Sequence, residues 1–309
     1  MSGTLSEQAL GRVESLQVVV RDETPFLPKV AFTLITLASL GGATFTGLGM
    51  GLDWIQIAVK WLTLWSLALA GGFLTWRVCY LRAQETDADQ AEVDALNASA
   101  LSRADLVGRW VAPIVLFGAA GALVVPQLSA QPALRGVLVA GSLLVATSLA
   151  IGVSRKHLAI SGLVVVASLL LGWAYVDAGA NWPAMVRLLH LSAFTLWLGG
   201  ALWNIAVAMP AGRQHPVVDA VLAGANQLDR FRWVVRFALP TIIATGLVMA
   251  WGYHGLPVSW WVTFPGVLIP LKVLAIIALV VVFITCPLFR HCSPVQGVCN
   301  LDDLDDQSS

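Results

Sequence analysis

The stretch 158–176, L-A-I-S-G-L-V-V-V-A-S-L-L-L-G-W-A-Y-V, decides the fold class because it contains no charged side chain. An α-helix needs about 20 mostly apolar residues to cross the hydrocarbon core of a bilayer. Seven other stretches qualify in the same way: 30–49, 54–76, 108–126, 135–153, 184–208, 233–253 and 264–288. Their apolar residues are continuous rather than alternating, which indicates helices and not barrel strands. We therefore predict an all-α polytopic membrane bundle with eight transmembrane helices.

The composition supports a membrane protein. Hydrophobic residues make up 58% of the chain and charged residues 12%, whereas soluble domains are about a quarter charged. This composition makes membrane lipid the expected surroundings. The net charge is zero, so we expect no nucleic-acid partner. Phosphate-binding loops, nucleophile elbows and zinc-protease motifs are absent from the sequence, which disfavours an ATP-driven pump or a soluble-type hydrolase.

The lysines and arginines predict the orientation. They concentrate before the first span, between spans 2 and 3, 4 and 5, and 6 and 7, and after the last span, while Arg135 and Arg187 lie on the opposite side. Because cytoplasmic loops carry the excess of basic residues, we expect both termini in the cytoplasm of a bacterial inner membrane. The N-terminus lacks the pattern of a cleaved signal peptide.

The spans divide the chain into four parts. We predict a cytoplasmic N-terminal segment at 1–29 and a five-helix half at 30–176. The half contains a cytoplasmic loop at 77–107, which is either a solvated helix or a flexible loop. A second transmembrane domain at 184–288 and a cysteine-containing acidic tail at 289–309 follow. Residues 215–232 have the amphipathic spacing of a helix that lies in the membrane interface.

Four ionisable side chains lie roughly 5–12 Å below the outer boundary of the predicted spans at 1.5 Å per residue: Lys60, Arg187, His190 and Lys272. An ionisable side chain at this depth costs at least a few kcal/mol and marks a functional site by default. Arg187 and Lys60 are also close enough to the boundary to snorkel. A lone histidine could be a neutral core residue bonded to a neighbouring helix.

One face of span 6 collects the polar groups of that helix. Arg187, His190, Trp197 and Asn204 project within one stripe about 100° wide. We expect this face, with Lys60 and Lys272, to form a transport path or gate. Asp53 and Asp177 at the outer boundary are candidate partners for the cations. Gly199 and Gly200 lie off the stripe, which favours close packing against a neighbouring helix.

Soft metal ligands form a second pattern. Methionine and histidine lie at the predicted outer side and cysteine at the predicted inner side, an order that suits cuprous ion because sulfur ligands select it. Methionine also fills gaps in helix packing. The outer candidates are His190, His254, Met50, Met185 and Met249, and the weaker inner ones are Cys79, Cys286, Cys292 and Cys299.

Three segments together resemble the CopD copper-resistance domain over about 184–288. They are R-L-L-H-L-S-A-F-T-L-W-L-G-G from Arg187, D-R-F-R-W-V-V-R-F-A-L-P-T-I-I-A-T-G-L-V-M-A-W from Asp229, and G-V-L-I-P-L-K-V-L-A-I-I-A-L from Gly266. The resemblance implies copper transport into the cytoplasm, copper homeostasis or resistance. It also implies a periplasmic CopC-like protein as copper donor, and a transporter rather than an enzyme.

A histidine on one membrane helix and a lysine on a later one are also similar to HemJ-type protoporphyrinogen oxidases, which bind haem. Here those roles would fall on His190 and Lys272. The charge pattern favours haem, because three cations repel a copper ion and suit an anion such as a haem propionate. The ligand count favours copper, because haem b usually takes two axial ligands. A haem-dependent membrane oxidoreductase is therefore the alternative to copper transport, and a structural subunit of a membrane complex is the third hypothesis.

Overall fold

The computed structural model describes residues 26–86, 88–215 and 217–285, and the secondary structure within them is helical. Seven helices are long and apolar enough to cross a membrane, and an eighth apolar helix is shorter within the described residues. The chain is thus an all-α, multi-pass membrane bundle. Its long helices are α1 Phe26–Gly49, α2 Trp54–Thr75, α3 Gln90–Gly118, α4 Pro132–Ile151, α5 Lys156–Ala178, α6 Trp182–Trp203, α7 Val218–Ala250 and α8 Leu268–Thr285.

The connection predicted at 77–107 is mostly helix. α2 continues through a π-helical turn at Trp76–Tyr80, and α3 already begins at Gln90. The carboxylate of Asp89 caps α3 by accepting hydrogen bonds from the backbone N–H groups of Ala91 and Glu92. Such a cap satisfies amide groups that have no partner inside the helix. From residue 90 onward, the helical alternative for this connection is the one that the structure contains.

The interface helix predicted at 215–232 does not form a separate element. α7 runs without interruption over Val218–Ala250, which is about 50 Å at 1.5 Å per residue. The amphipathic segment is the first part of the spanning helix.

α2 and α6 form the centre of the bundle. Of their most apolar windows, 72% and 67% of residues are buried, against 22–44% in the other five spanning helices. A side chain at Gly72 would overlap the backbone of Thr195, and one at Gly199 would overlap the backbone of Gly72. The glycines thus permit backbone-to-backbone packing, which confirms the predicted packing role of Gly199.

The remaining helices surround this pair. α7 packs along α6, α8 packs along α1, and α5 contacts both α2 and α6. The outward faces carry large apolar side chains, as expected for surfaces that face lipid. Examples are Trp110 at 72%, Phe117 at 71% and Val164 at 60% exposure.

A polar cluster holds the turn between α4 and α5 against α2 and α3. Arg77 donates hydrogen bonds to the carbonyl oxygens of Val153 and Ser154. The carboxylate of Asp105 accepts from both the backbone N–H and the hydroxyl of Ser154. The cluster lies at the end of the bundle opposite the candidate site.

Candidate functional site

One carboxylate, Asp177, pairs with two of the cations that the sequence places inside the spans. Its Oδ1 lies 2.5 Å from Lys60 Nζ, and its Oδ2 lies 2.6 Å from Arg187 Nη2 and 2.8 Å from Arg187 Nε. The Asp177 side chain is 1% exposed. The expectation that Asp177 pairs with the cations is confirmed.

The local sequence explains how Arg187 reaches Asp177. α5 ends at Ala178 and α6 begins at Trp182. Gly179 and Asn181 between them both have positive φ angles, 72° and 76°, a conformation that glycine and asparagine adopt most readily. The resulting short turn places the last turn of α5 beside the second turn of α6.

Lys60 lies on α2, and a different acidic residue, Asp53, caps the N-terminus of that helix. Asp53 accepts a hydrogen bond from the backbone of Gln56, and the Gln56 side chain accepts one from the backbone of Asp53, which together form a capping box. Asp53 therefore caps a helix. Lys60 also donates a hydrogen bond to Met50 Sδ at 3.2 Å, so one candidate copper ligand contacts a cation.

His190 is buried in the wall of α6 and is oriented by α7. Its Nδ1 lies 2.9 Å from the hydroxyl oxygen of Thr245, and that hydroxyl donates to the carbonyl oxygen of Thr241 at 2.5 Å. Because the hydroxyl hydrogen is committed to Thr241, the Thr245 oxygen accepts and the proton belongs to Nδ1. The lone pair then lies on Nε2, the arrangement that second-shell hydrogen bonds impose on metal-ligating histidines.

These groups surround a cavity of about 920 Å³ between α1, α2, α6, α7 and α8. Asp177, Arg187, His190 and Lys272 contribute polar atoms, while most of the lining is aliphatic or aromatic. A large apolar cleft with a few convergent polar groups is the usual form of a small-molecule site.

Lys272 reaches the cavity from α8, on the wall opposite His190. It lies beside Gly42 of α1, where even a β-carbon would come within 2.9 Å of Lys272 Nζ. Gly42 thus leaves room for the lysine head. Within residues 26–86, 88–215 and 217–285, no ion pair involves Lys272. With His190 neutral, the three cations Lys60, Arg187 and Lys272 outnumber the single carboxylate by two charges.

The other predicted site residues separate into two groups. Trp197, Met50 and Met249 line the cavity with His190. Asn204 does not line it: it lies at the far end of α6 and donates to the carbonyl oxygen of Gly200. About 14 residues of helix, or roughly 21 Å, separate it from His190, so a shared stripe does not imply a shared site.

The remaining candidate metal ligands do not converge on the cavity. Met185 is 58% exposed, and His254 is exposed and stacks on Trp251 at 4.9 Å. Cys79 is exposed at the opposite end of the bundle, and Cys286, Cys292 and Cys299 lie outside the described residues. Across the part of the chain that the structure describes, no three histidine, cysteine or acidic side chains form a metal-binding group.

Thr245 is the site residue that the sequence analysis did not single out. Thr245 is there only one letter of the quoted segment that starts at Asp229, where it precedes Gly246. A threonine in an apolar helix is an ordinary residue. Its pairing with His190 became visible only from the packing of α6 against α7.

Comparison of the chain with protein-family models, with curated proteins and with solved structures found no match.

Proposed function

We propose that this protein binds a haem-class tetrapyrrole in the cavity between α1, α2, α6, α7 and α8, as a haem-dependent membrane oxidoreductase. The observation that carries the proposal is His190. Its Nδ1 is held by Thr245, and the ring lies in the wall of an apolar cavity whose rim has a surplus of cations.

The residues present supply one histidine ligand and two cationic partners for such a group. A histidine nitrogen is a common axial ligand of haem iron, and Nε2 of His190 carries the available lone pair. The cavity volume, about 920 Å³, falls within the range of about 300–1,000 Å³ for organic-ligand sites. A ligand with two carboxylates, such as haem with its propionates, would neutralise the surplus of two positive charges.

Each residue then has a separate role. His190 would hold the iron, Arg187 and Lys272 would bind the carboxylates, and Asp177 would lower the surplus positive charge from three to two. When bound, haem supplies one-electron redox chemistry. The apolar lining excludes water, which strengthens the ion pairs at the rim. In the orientation predicted from the basic residues, the cavity lies in the outer half of a bacterial inner membrane.

Purified protein tests the proposal directly. Expression with excess haem is expected to give a Soret band with equimolar iron in the wild type, and His190→Ala is expected to abolish it. His254→Ala is the matched control, because that histidine is exposed and lies outside the cavity lining. Wild-type protein without a Soret band, or a band that His190→Ala leaves unchanged, would overturn the proposal.

Copper transport is the second candidate, because Met50 and Met249 line the same cavity as His190. In this function cuprous ion is the cargo, and a periplasmic CopC-like protein is its donor. Cells that lack their own copy are expected to lose copper accumulation with Met50→Leu/Met249→Leu, while Met185→Leu has no effect. Unchanged copper content in the double variant would exclude this candidate.

A further inference from the structure

The cavity opens sideways, between α7 and α8. α6 packs along α7 and α1 packs along α8, so each helix that borders the opening is packed against a neighbouring helix. Among the described residues, α7 and α8 themselves have no comparable packed interface, although side chains from both line the cavity. As far as the described residues show, the gap between these two helices therefore leaves the cavity open on that side.

The two edges of this gap are apolar and exposed. Leu247 and Val248 on α7 are 62% and 52% exposed, and Val273 and Ile277 on α8 are 44% and 53% exposed. All four also line the cavity. In a membrane-spanning bundle such side chains face acyl chains, because an aqueous entrance would be lined by polar groups.

Aromatic rings cover the cavity at the end where α1 and α7 terminate. Phe45 on α1 packs against Tyr253 after α7, with ring centroids 5.1 Å apart. Tyr253 stacks in turn on Trp260 at 5.5 Å. Phe45 and Tyr253 both line the cavity. These rings cover part of the cavity at this end of the bundle.

We infer that the ligand enters and leaves the cavity through the gap between α7 and α8, directly from the lipid bilayer. Its class is a membrane-dissolved amphiphile with an anionic head. The apolar edges of the gap admit the apolar body. Lys272 on α8, which has no ion pair within the described part of the chain, attracts the head together with Arg187. The haem-class identity of this amphiphile rests on the proposed function, whereas the lateral route does not.

Spin labels in nanodiscs test the route without any ligand. In a variant with the four cysteines replaced by serine, a label at Ile243→Cys, which lines the cavity on α7, is expected to collide with oxygen and not with a water-soluble nickel chelate. Val164→Cys, which is exposed on α5, is the lipid-facing control. Gly255→Cys, in the exposed connection after α7, is the water-facing control.

A second variant narrows the gap. Leu247→Trp/Ile277→Trp is expected to lower oxygen collisions at position 243 and to slow haem uptake from liposomes by about tenfold, because a restricted entrance lowers the association rate. Strong nickel collisions at 243, no collisions of either kind, or uptake unaffected by the tryptophans would overturn the lateral route. Lateral access without a Soret band would retain the route and refute the haem proposal.

Discussion

Replacing Asp177 by asparagine is expected to destabilise the fold by about 3–5 kcal/mol, the range for removing one partner of a buried ion pair. Asparagine has nearly the same volume, so the change creates no cavity. It leaves Lys60 and Arg187 without their shared counter-charge. Their side chains are 6% and 13% exposed, which limits solvation of the released charges.

The geometry predicts which second change restores stability. Arg187 is the more exposed cation and its long side chain can extend toward the boundary, whereas Lys60 is enclosed. Lys60→Met alone should cost about 1–2 kcal/mol, because Asp177 keeps both hydrogen bonds from Arg187. In the Asp177→Asn background, Lys60→Met should instead be neutral or stabilising, which gives a coupling energy of about 1–3 kcal/mol.

The free energy of unfolding can be measured by steric trapping in bicelles, after reversibility has been checked. Asp53→Asn is the matched control, because it removes an exposed carboxylate at the same end of the bundle and asparagine also caps helices. Its effect should stay below about 0.5 kcal/mol. An Asp177→Asn variant within about 1 kcal/mol of wild type, or a double variant less stable than both single ones, would refute the reasoning.

Further predictions concern the orientation of His190, the central helix crossing and the turn before α5. Thr245→Val should weaken haem binding about 10–100-fold in an absorbance titration, since the support of the ligating histidine is lost, and Thr245→Ser should restore it. Gly199→Ala should destabilise the bundle by about 1–3 kcal/mol through overpacking. Gly136→Ala is the control and should not destabilise it, because the added methyl group meets open space. Equal effects of the two substitutions would contradict the close packing at Gly199. Asp105→Ala should cost about 2–4 kcal/mol of unfolding free energy and increase proteolysis at the turn, because two hydrogen bonds to a charged acceptor are lost.

The sequence allowed most of the fold to be predicted, because a helix long enough to cross a bilayer requires a continuous apolar run. It left helix and loop open where the residues are polar, as at the start of α3, since hydropathy detects lipid contact and not hydrogen bonding. The α8 segment differs at its start. Its predicted span begins at residue 264, whereas the helix begins at Leu268.

The site was predictable only in part, for a similar reason. The intramembrane cations and His190 could be identified from one sequence, because ionisable groups are conspicuous in apolar spans. Their partners could not be assigned with equal certainty, because pairing depends on which helices are neighbours. The Arg187–Asp177 contact crosses one short turn, whereas the Lys60–Asp177 and His190–Thr245 contacts join helices distant in sequence.

The change in ligand affinity caused by Asp177→Asn should have opposite signs for the two functional candidates. Its negative charge attracts a copper cation and repels a carboxylate, so Asp177→Asn should weaken cuprous binding and strengthen binding of an anionic amphiphile. Unit charges about 8 Å apart at an effective dielectric of about 20 interact by about 2 kcal/mol. That energy corresponds to about a 30-fold change in dissociation constant. Comparing wild type and Asp177→Asn with haem and with cuprous ion measures both changes, and a tetrapyrrole that binds the variant more weakly would contradict the anion-binding function.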